Sequence, residues 1–173
     1  GEHMDGTHAE LIALPADYIY PLPNGLTFEQ AAAFPLVFET AYRMLVTRGG
    51  LQEGEWVFVW GIGGGVATAA MQVAKALGAR VIVTSSSDEK LVRARELGAD
   101  ATVNHADADV AAAVREATDG HGADIVLDDV GAGTVSREGA VAAAVAAATT
   151  DASTGTTGLV LAGGAGLGKS FVL

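Results

Sequence analysis

Cysteine is absent from the 173 residues, which excludes disulfides and every zinc site built on thiolates and points to an intracellular, cytoplasmic setting. Lysine is scarce. Three Lys and seven Arg stand against 21 Asp and Glu, for a formal net charge of −11. A surface of that sign repels phosphate backbones and anionic lipid heads, so neither nucleic acid nor a membrane is expected as partner. No apolar run approaches the roughly 20 residues of a membrane span, and no basic segment followed by an apolar core marks the N-terminus as a signal peptide. The four histidines, His3, His8, His105 and His121, show no metal-ligand spacing. What the chain has in quantity is small and apolar: 23 glycines and a hydrophobic content of 50%. That is enough to bury the core of one domain, or one and a fraction.

The chain is organised around residues 56–90. Residues 56–60 (WVFVW) form a short apolar run that reads as a buried strand. Gly61, Gly63, Gly64 and Gly65 follow, broken by Ile62, and feed a helical pattern with Val66, Ala70, Val73 and Leu77 on one face and Gly78 at its end. Residues 81–84 are a second apolar strand. A strand, a glycine turn and a helix N-terminus in succession make a cradle for a pyrophosphate, because helix amides and dipole both favour an anion there.

Upstream, residues 9–13 read as a short strand and residues 15–23 as an irregular crossing. Thr27 and Gln30 frame a capping box that opens a helix through residue 33. Pro35 is expected to interrupt it, with a second helix over 37–47 stopped by Gly49 and Gly50. Downstream, Ser86 to Glu89 is a second capping box, opening a helix with Leu91, Ala94 and Leu97 inward and Gly98 at its close. A third strand over 101–103, a helix over 107–118 and a fourth strand over 125–127 complete the pattern. Strands alternating with helices at this spacing imply an α/β fold with a doubly wound parallel sheet. After Arg137 the chain becomes Ala-, Gly- and Thr-rich; residues 159–161 read as one more strand, and the Ala-rich part as a weak helix.

The motifs, in order, are GEHMDGTHAE at 1–10, LTFEQAAA at 26–33, TAY at 40–42, WGIGGGVA at 60–67, EKL at 89–91, LGAD at 97–100 and the DIVLDDVG run at 124–131. On these, residues 1–134 resemble the medium-chain dehydrogenase/reductase superfamily, in its zinc-free, quinone-oxidoreductase-like branch. The resemblance implies a Rossmann-type dinucleotide-binding domain over 23–137. It makes residues 1–22 the end of a preceding β-rich, GroES-like catalytic domain. Residues 138–173 are then an atypical tail holding the last strand of the same sheet. A truncated or frameshifted reading frame would give such a tail. The implied function is hydride transfer between NADPH and a small carbonyl, enone or quinone, with a homodimer left open. No residue of the chain stands out as catalytic.

The resemblance places Gly61, Gly64, Gly65, Val66 and Ala67 at the pyrophosphate, with Ala67 where the fingerprint's third glycine stands. Thr40 matches a threonine that reaches the cofactor from the preceding helix, its other reading being an ordinary helix threonine. Asn104 falls on the adenosine side, with His105 where a tyrosine is usual, and Val130 and Gly131 at the nicotinamide ribose. Leu36 stands where zinc-dependent relatives place a cysteine, so no zinc is expected. Cofactor choice is read at the end of the second strand, where an acid would hold the ribose hydroxyls of NAD. Ser85, Ser86 and Lys90 stand there instead, and hydroxyls with a cation suit the 2′-phosphate of NADP. Two rival readings remain: a dinucleotide-binding remnant without catalysis, and a P-loop module. The second rests on Gly163, Gly168, Lys169 and Ser170, which fit the GxxxxGKS pattern but need a helix after the serine.

Overall fold

A computed structural model describes residues 6–129, 159–163 and 170–172. The chain divides into two compact units with the boundary between Phe34 and Pro35. In the first, the described residues are mostly irregular, with one 3₁₀ turn, Ala16–Tyr18. Residues 9–13 are not a strand: among the described residues no neighbour completes a ladder with them. The Thr27 capping box forms in full, Thr27 N–H donating to Gln30 Oε1 (3.0 Å) and Gln30 N–H to Thr27 Oγ1 (3.2 Å). It opens α1, Phe28–Tyr42, which runs through Pro35 as one helix instead of two. Pro35 costs the helix one bond to the residue-31 carbonyl. The helix keeps its path because it is capped before the proline and anchored after it, where Val37, Phe38 and Ala41 join the core. A π-helical segment, Arg43–Arg48, follows, and Gly49 N–H donates to Met44 O (2.8 Å) across the wide turn. A side chain at Gly49 would stand 2.7 Å from Leu45 O, so the helix ends at the glycine pair as expected.

The second unit is a six-stranded sheet in the order β3-β2-β1-β4-β5-β6. The strands are β1 (Trp56–Trp60), β2 (Arg80–Ser85), β3 (Ala101–Asn104), β4 (Ile125–Asp128), β5 (Leu159–Gly163) and β6 (Ser170–Val172). β1 to β5 pair in parallel, and β6 returns antiparallel to β5. Helices α2 (Gly65–Ala76), α3 (Asp88–Glu96) and α4 (Val110–Ala117) connect β1 through β4. The chain builds outward from β1 to β3 and then crosses back to lay β4 on β1's other side. The topological switch therefore lies between β1 and β4, where open α/β sheets take their ligands.

β1 is buried on both faces, which is why it reads as an unbroken apolar run. Val57, Val59, Val81, Val83, Ile125 and Leu127 face the layer of α2 and α3, while Trp56, Phe58, Trp60, Ile82 and Val126 face α4. α2 buries Ala67, Ala70, Met71 and Ala74, with Val66 and Val73 half-buried and Leu77 exposed. The inward face is thus the small one, which lets the helix lie close on the sheet. Leu97 of the α3 end is likewise exposed, at 40%, leaving Leu91 and Ala94 as that helix's buried contacts.

Two Gly-Ala-Asp turns repeat one device. Asp100, before β3, accepts from Val81 N–H (2.6 Å) with Oδ2 and binds Lys75 Nζ at 2.8 Å. Asp124, before β4, accepts from Trp56 N–H (2.8 Å) with Oδ2 while Oδ1 meets His121 Nε2 at 2.8 Å. Each carboxylate satisfies an amide at the start of the neighbouring strand and so helps to set the parallel register.

Candidate functional site: a glycine turn at the switch between β1 and β4

The turn after β1 is held by β2. Gly61 N–H donates to Thr84 Oγ1 (3.1 Å), and Ile62 N–H to Thr84 O (2.7 Å). Gly61 (φ 74°) and Gly63 (φ 115°) take left-handed backbone that side chains avoid. Gly64 is the N-cap of α2, extended at φ −76° and ψ 159°, and it supplies no side-chain cap. The first helical bond runs from Thr68 N–H to Gly64 O (3.0 Å), so the amides of Gly65, Val66 and Ala67 have no acceptor within the helix. A Cβ on Gly65 would stand 2.9 Å from Val37 Cγ1, so its absence lets α1 approach the first turn of α2. Ala67 is fully buried and packs the helix on the sheet.

Two charged side chains reach this turn. Lys90, from α3, lies across Gly63, its Cδ 2.9 Å and its Nζ 3.4 Å from the position of a Gly63 Cβ. Asp129, just past β4, places Oδ2 3.6 Å from the position of a Gly64 Cβ. Burial pushes the Asp129 carboxyl above the usual carboxylate range, and the neighbouring Asp128 carboxylate adds to the rise; hydrogen bonds from its own N–H and from Ala67 N–H oppose it. Asp129 is the site residue that sequence reasoning missed. Two acids were visible at the end of β4, but their meeting with the glycine turn depends on the strand order.

At the end of β2 the serines divide their work. Ser85 is buried, at 5% exposure, and its Oγ accepts from Ser87 N–H (3.1 Å). Ser87, not Ser86, caps α3, accepting from Lys90 N–H (3.4 Å), because the helix begins one residue later than its sequence pattern predicts. Ser86 is thereby left exposed beside Lys90's helix. Asn104 closes the end of β3, its Nδ2 donating to Asp88 Oδ1 (2.8 Å) and its Oδ1 accepting from Ala106 N–H (3.0 Å). His105 stacks on Trp60, with ring centroids 5.0 Å apart and planes 8° apart. Thr40 Oγ1 donates to Leu36 O (2.6 Å), the bond of an ordinary helix threonine. Val130 and Gly131 lie outside the described residues.

Gly61, Gly64, Gly65, Val66, Ala67 and Lys90 therefore converge on one turn, with Ser85 and Ser86 at the adjoining strand end. Glycines where a ligand's backbone must approach, open amides and an ammonium beside them fit a dinucleotide's phosphates. Among the described residues no group of three or more His, Cys, Asp or Glu side chains could hold a metal ion. At its described ends the P-loop pattern is not met: Ser170 opens strand β6, with Gly163 as its partner in β5, where that motif needs a helix. Among the described residues, no helix is long and apolar enough to cross a membrane.

A family model described as zinc-binding dehydrogenase matches residues 65–164. A quinone oxidoreductase of Pseudomonas aeruginosa is 40% identical over 126 residues, covering 73% of this chain and 39% of that protein. A solved NAD-dependent alcohol dehydrogenase superposes with a TM-score of 0.70 at 50% identity, over 75% of this chain and 38% of that one. A mycobacterial protein solved in complex with NADPH superposes with a TM-score of 0.64 at 35% identity, over 70% of this chain and 38% of that one. The chain thus spans less than two-fifths of the length of each.

Proposed function

The chain belongs to the zinc-binding dehydrogenase family, in the medium-chain dehydrogenase/reductase superfamily, and matches its nucleotide-binding half; from that premise we propose that it binds NADPH in preference to NADH, as the cofactor portion of a zinc-independent reductase. One observation carries the reading: Lys90 extends over the glycine turn at the switch point, beside the exposed Ser86 and with no acid ending β2. An acid at that strand end would bond the ribose hydroxyls of NAD and repel a 2′-phosphate. A hydroxyl and an ammonium do the reverse.

When bound, the nicotinamide supplies the hydride that a small carbonyl, enone or quinone accepts. The chain's own residues bind and orient. The amides of Gly65, Val66 and Ala67 offer donors to the pyrophosphate, and Gly61 and Gly64 leave room for it. Lys90 adds a positive charge, and Ser86 a hydroxyl. Residues 23–137 form the dinucleotide-binding domain on this reading, with 1–22 belonging to a preceding catalytic domain and 138–173 extending the sheet. A cytoplasmic setting suits a cysteine-free chain of this kind.

The NAD-dependent relative makes the preference a matter for measurement. Titrating both cofactors by nicotinamide fluorescence tests it. Tighter NADPH binding supports the reading; tighter NADH binding removes the 2′-phosphate assignment, and binding of neither removes the dinucleotide site.

A further inference from the structure

We infer that Asp129 is a built-in occupant of the α2 N-terminus, a carboxylate that must leave before a pyrophosphate can enter, and that it holds dinucleotide affinity down. The inference rests on the dinucleotide reading above and concerns how that site is regulated.

Gly64 provides no side-chain cap for α2, so the first amides of the helix look to another part of the chain for an acceptor. Asp129 arrives from the end of β4, across the switch point from the glycine turn. Ala67 N–H, one of those first amides, stands near enough to the carboxylate to oppose the rise that burial causes in its pKa. Its Oδ2 lies 3.6 Å from where a Gly64 Cβ would stand, in the space that a missing side chain leaves in front of the turn. The helix end attracts anions, and here one of the protein's own takes the place. A pyrophosphate and this carboxylate compete for the same space before the helix end, and two negative charges at such separation repel strongly where water is partly excluded.

The surroundings make the occupant displaceable. Burial opposes its charge, and Asp128 at the end of β4 opposes it further. Lys90 lies over the adjacent Gly63, where its ammonium attracts an incoming phosphate. Neutralising position 129 while keeping its hydrogen-bonding shape then removes the competitor and leaves the cradle intact.

The test uses the full chain and the Asp129→Asn variant, each titrated calorimetrically with NADPH and with inorganic pyrophosphate. Asp129→Ser repeats the loss of charge in a second side chain, in case the first variant folds poorly. Asp119→Asn controls for net charge: Asp119 is exposed, lies ahead of β4 whereas Asp129 follows it, and sits at φ 53°, which asparagine also adopts. The inference predicts that both Asp129 variants bind both ligands about tenfold tighter or more, and that Asp119→Asn changes either by no more than about twofold. Unchanged or weaker binding in the Asp129 variants overturns it. So does an equal gain in Asp119→Asn, or a gain for NADPH without one for pyrophosphate. If pyrophosphate binds tighter to the variants while no protein binds a dinucleotide, the carboxylate is an occupant of an anion site and the proposed function is what fails.

Discussion

The side chain of Lys90 lies across the backbone of Gly63, with Cδ 2.9 Å from where a β-carbon would stand. The third residue of one helix thereby covers the turn that opens another, so a cation is held beside the glycine turn by packing. Lys90→Glu is expected to weaken NADPH binding more than tenfold, from loss of one charge and gain of its opposite. NADH, which lacks the 2′-phosphate, should lose less. Parallel fluorescence titrations check this, and equal losses for both cofactors would place Lys90 away from the 2′-phosphate.

Gly63→Ala addresses the same contact from the other side. Its φ of 115° disfavours any side chain, and a methyl group there would collide with Lys90. Strain of this kind costs about 1–3 kcal/mol. Thermal unfolding should show the loss in Gly63→Ala, and combining it with Lys90→Ala should restore part of it by removing the collision.

The serines at the end of β2 are not interchangeable. Ser86→Asp puts an exposed acid beside the proposed 2′-phosphate position and should reverse the preference to NADH with the melting temperature nearly unchanged. Ser85→Asp buries a carboxylate where the hydroxyl accepts from the Ser87 amide and should lower stability by about 1–3 kcal/mol. Melting curves and paired titrations separate the two effects.

Much of this fold was legible because its signals are local. WVFVW reads as a buried strand from its length and β-rich residues and is one, and the Thr27 box forms as its spacing requires. What local signals missed was decided by packing. Pro35 was expected to split a helix that core contacts on its C-terminal side keep whole. The α3 cap moved from Ser86 to Ser87 because Ser85, fixed in β2, takes the Ser87 amide and shapes the turn. Asp129 was hidden for a different reason: 65 positions separate it from Gly64, and only the crossing of the chain back over β1 brings them together.

Stability should depend on pH through Asp129. Its native pKa is raised, so the folded chain holds that proton more tightly than the unfolded chain. Below the unfolded value the group is neutral in both states and burial carries no penalty; as pH rises through the native value the penalty develops in full. Asp129→Asn should therefore raise the melting temperature at neutral pH, with the gain shrinking towards about pH 4, near the ordinary carboxylate range. A gain independent of pH would contradict the assignment.

Removing the Asp124 carboxylate tests the register device. Asp124→Ala leaves the Trp56 amide and the His121 ring without their acceptor. An unpaired, partly buried donor costs about 1–3 kcal/mol. Denaturant melts should show that loss, with the faster hydrogen exchange concentrated at the start of β1.

The central claim is that a dinucleotide's phosphates lie against the turn at Gly64. Gly64 has φ −76° and ψ 159°, open to any residue, and a Cβ there meets nothing nearer than 3.6 Å. Gly64→Val should therefore fold as the parent does while its side chain fills the cradle. Calorimetric titration of NADPH into both proteins, each shown to be folded by circular dichroism, is the direct measurement. The account predicts binding to the parent and none detectable in Gly64→Val; equal affinity in the two would contradict it.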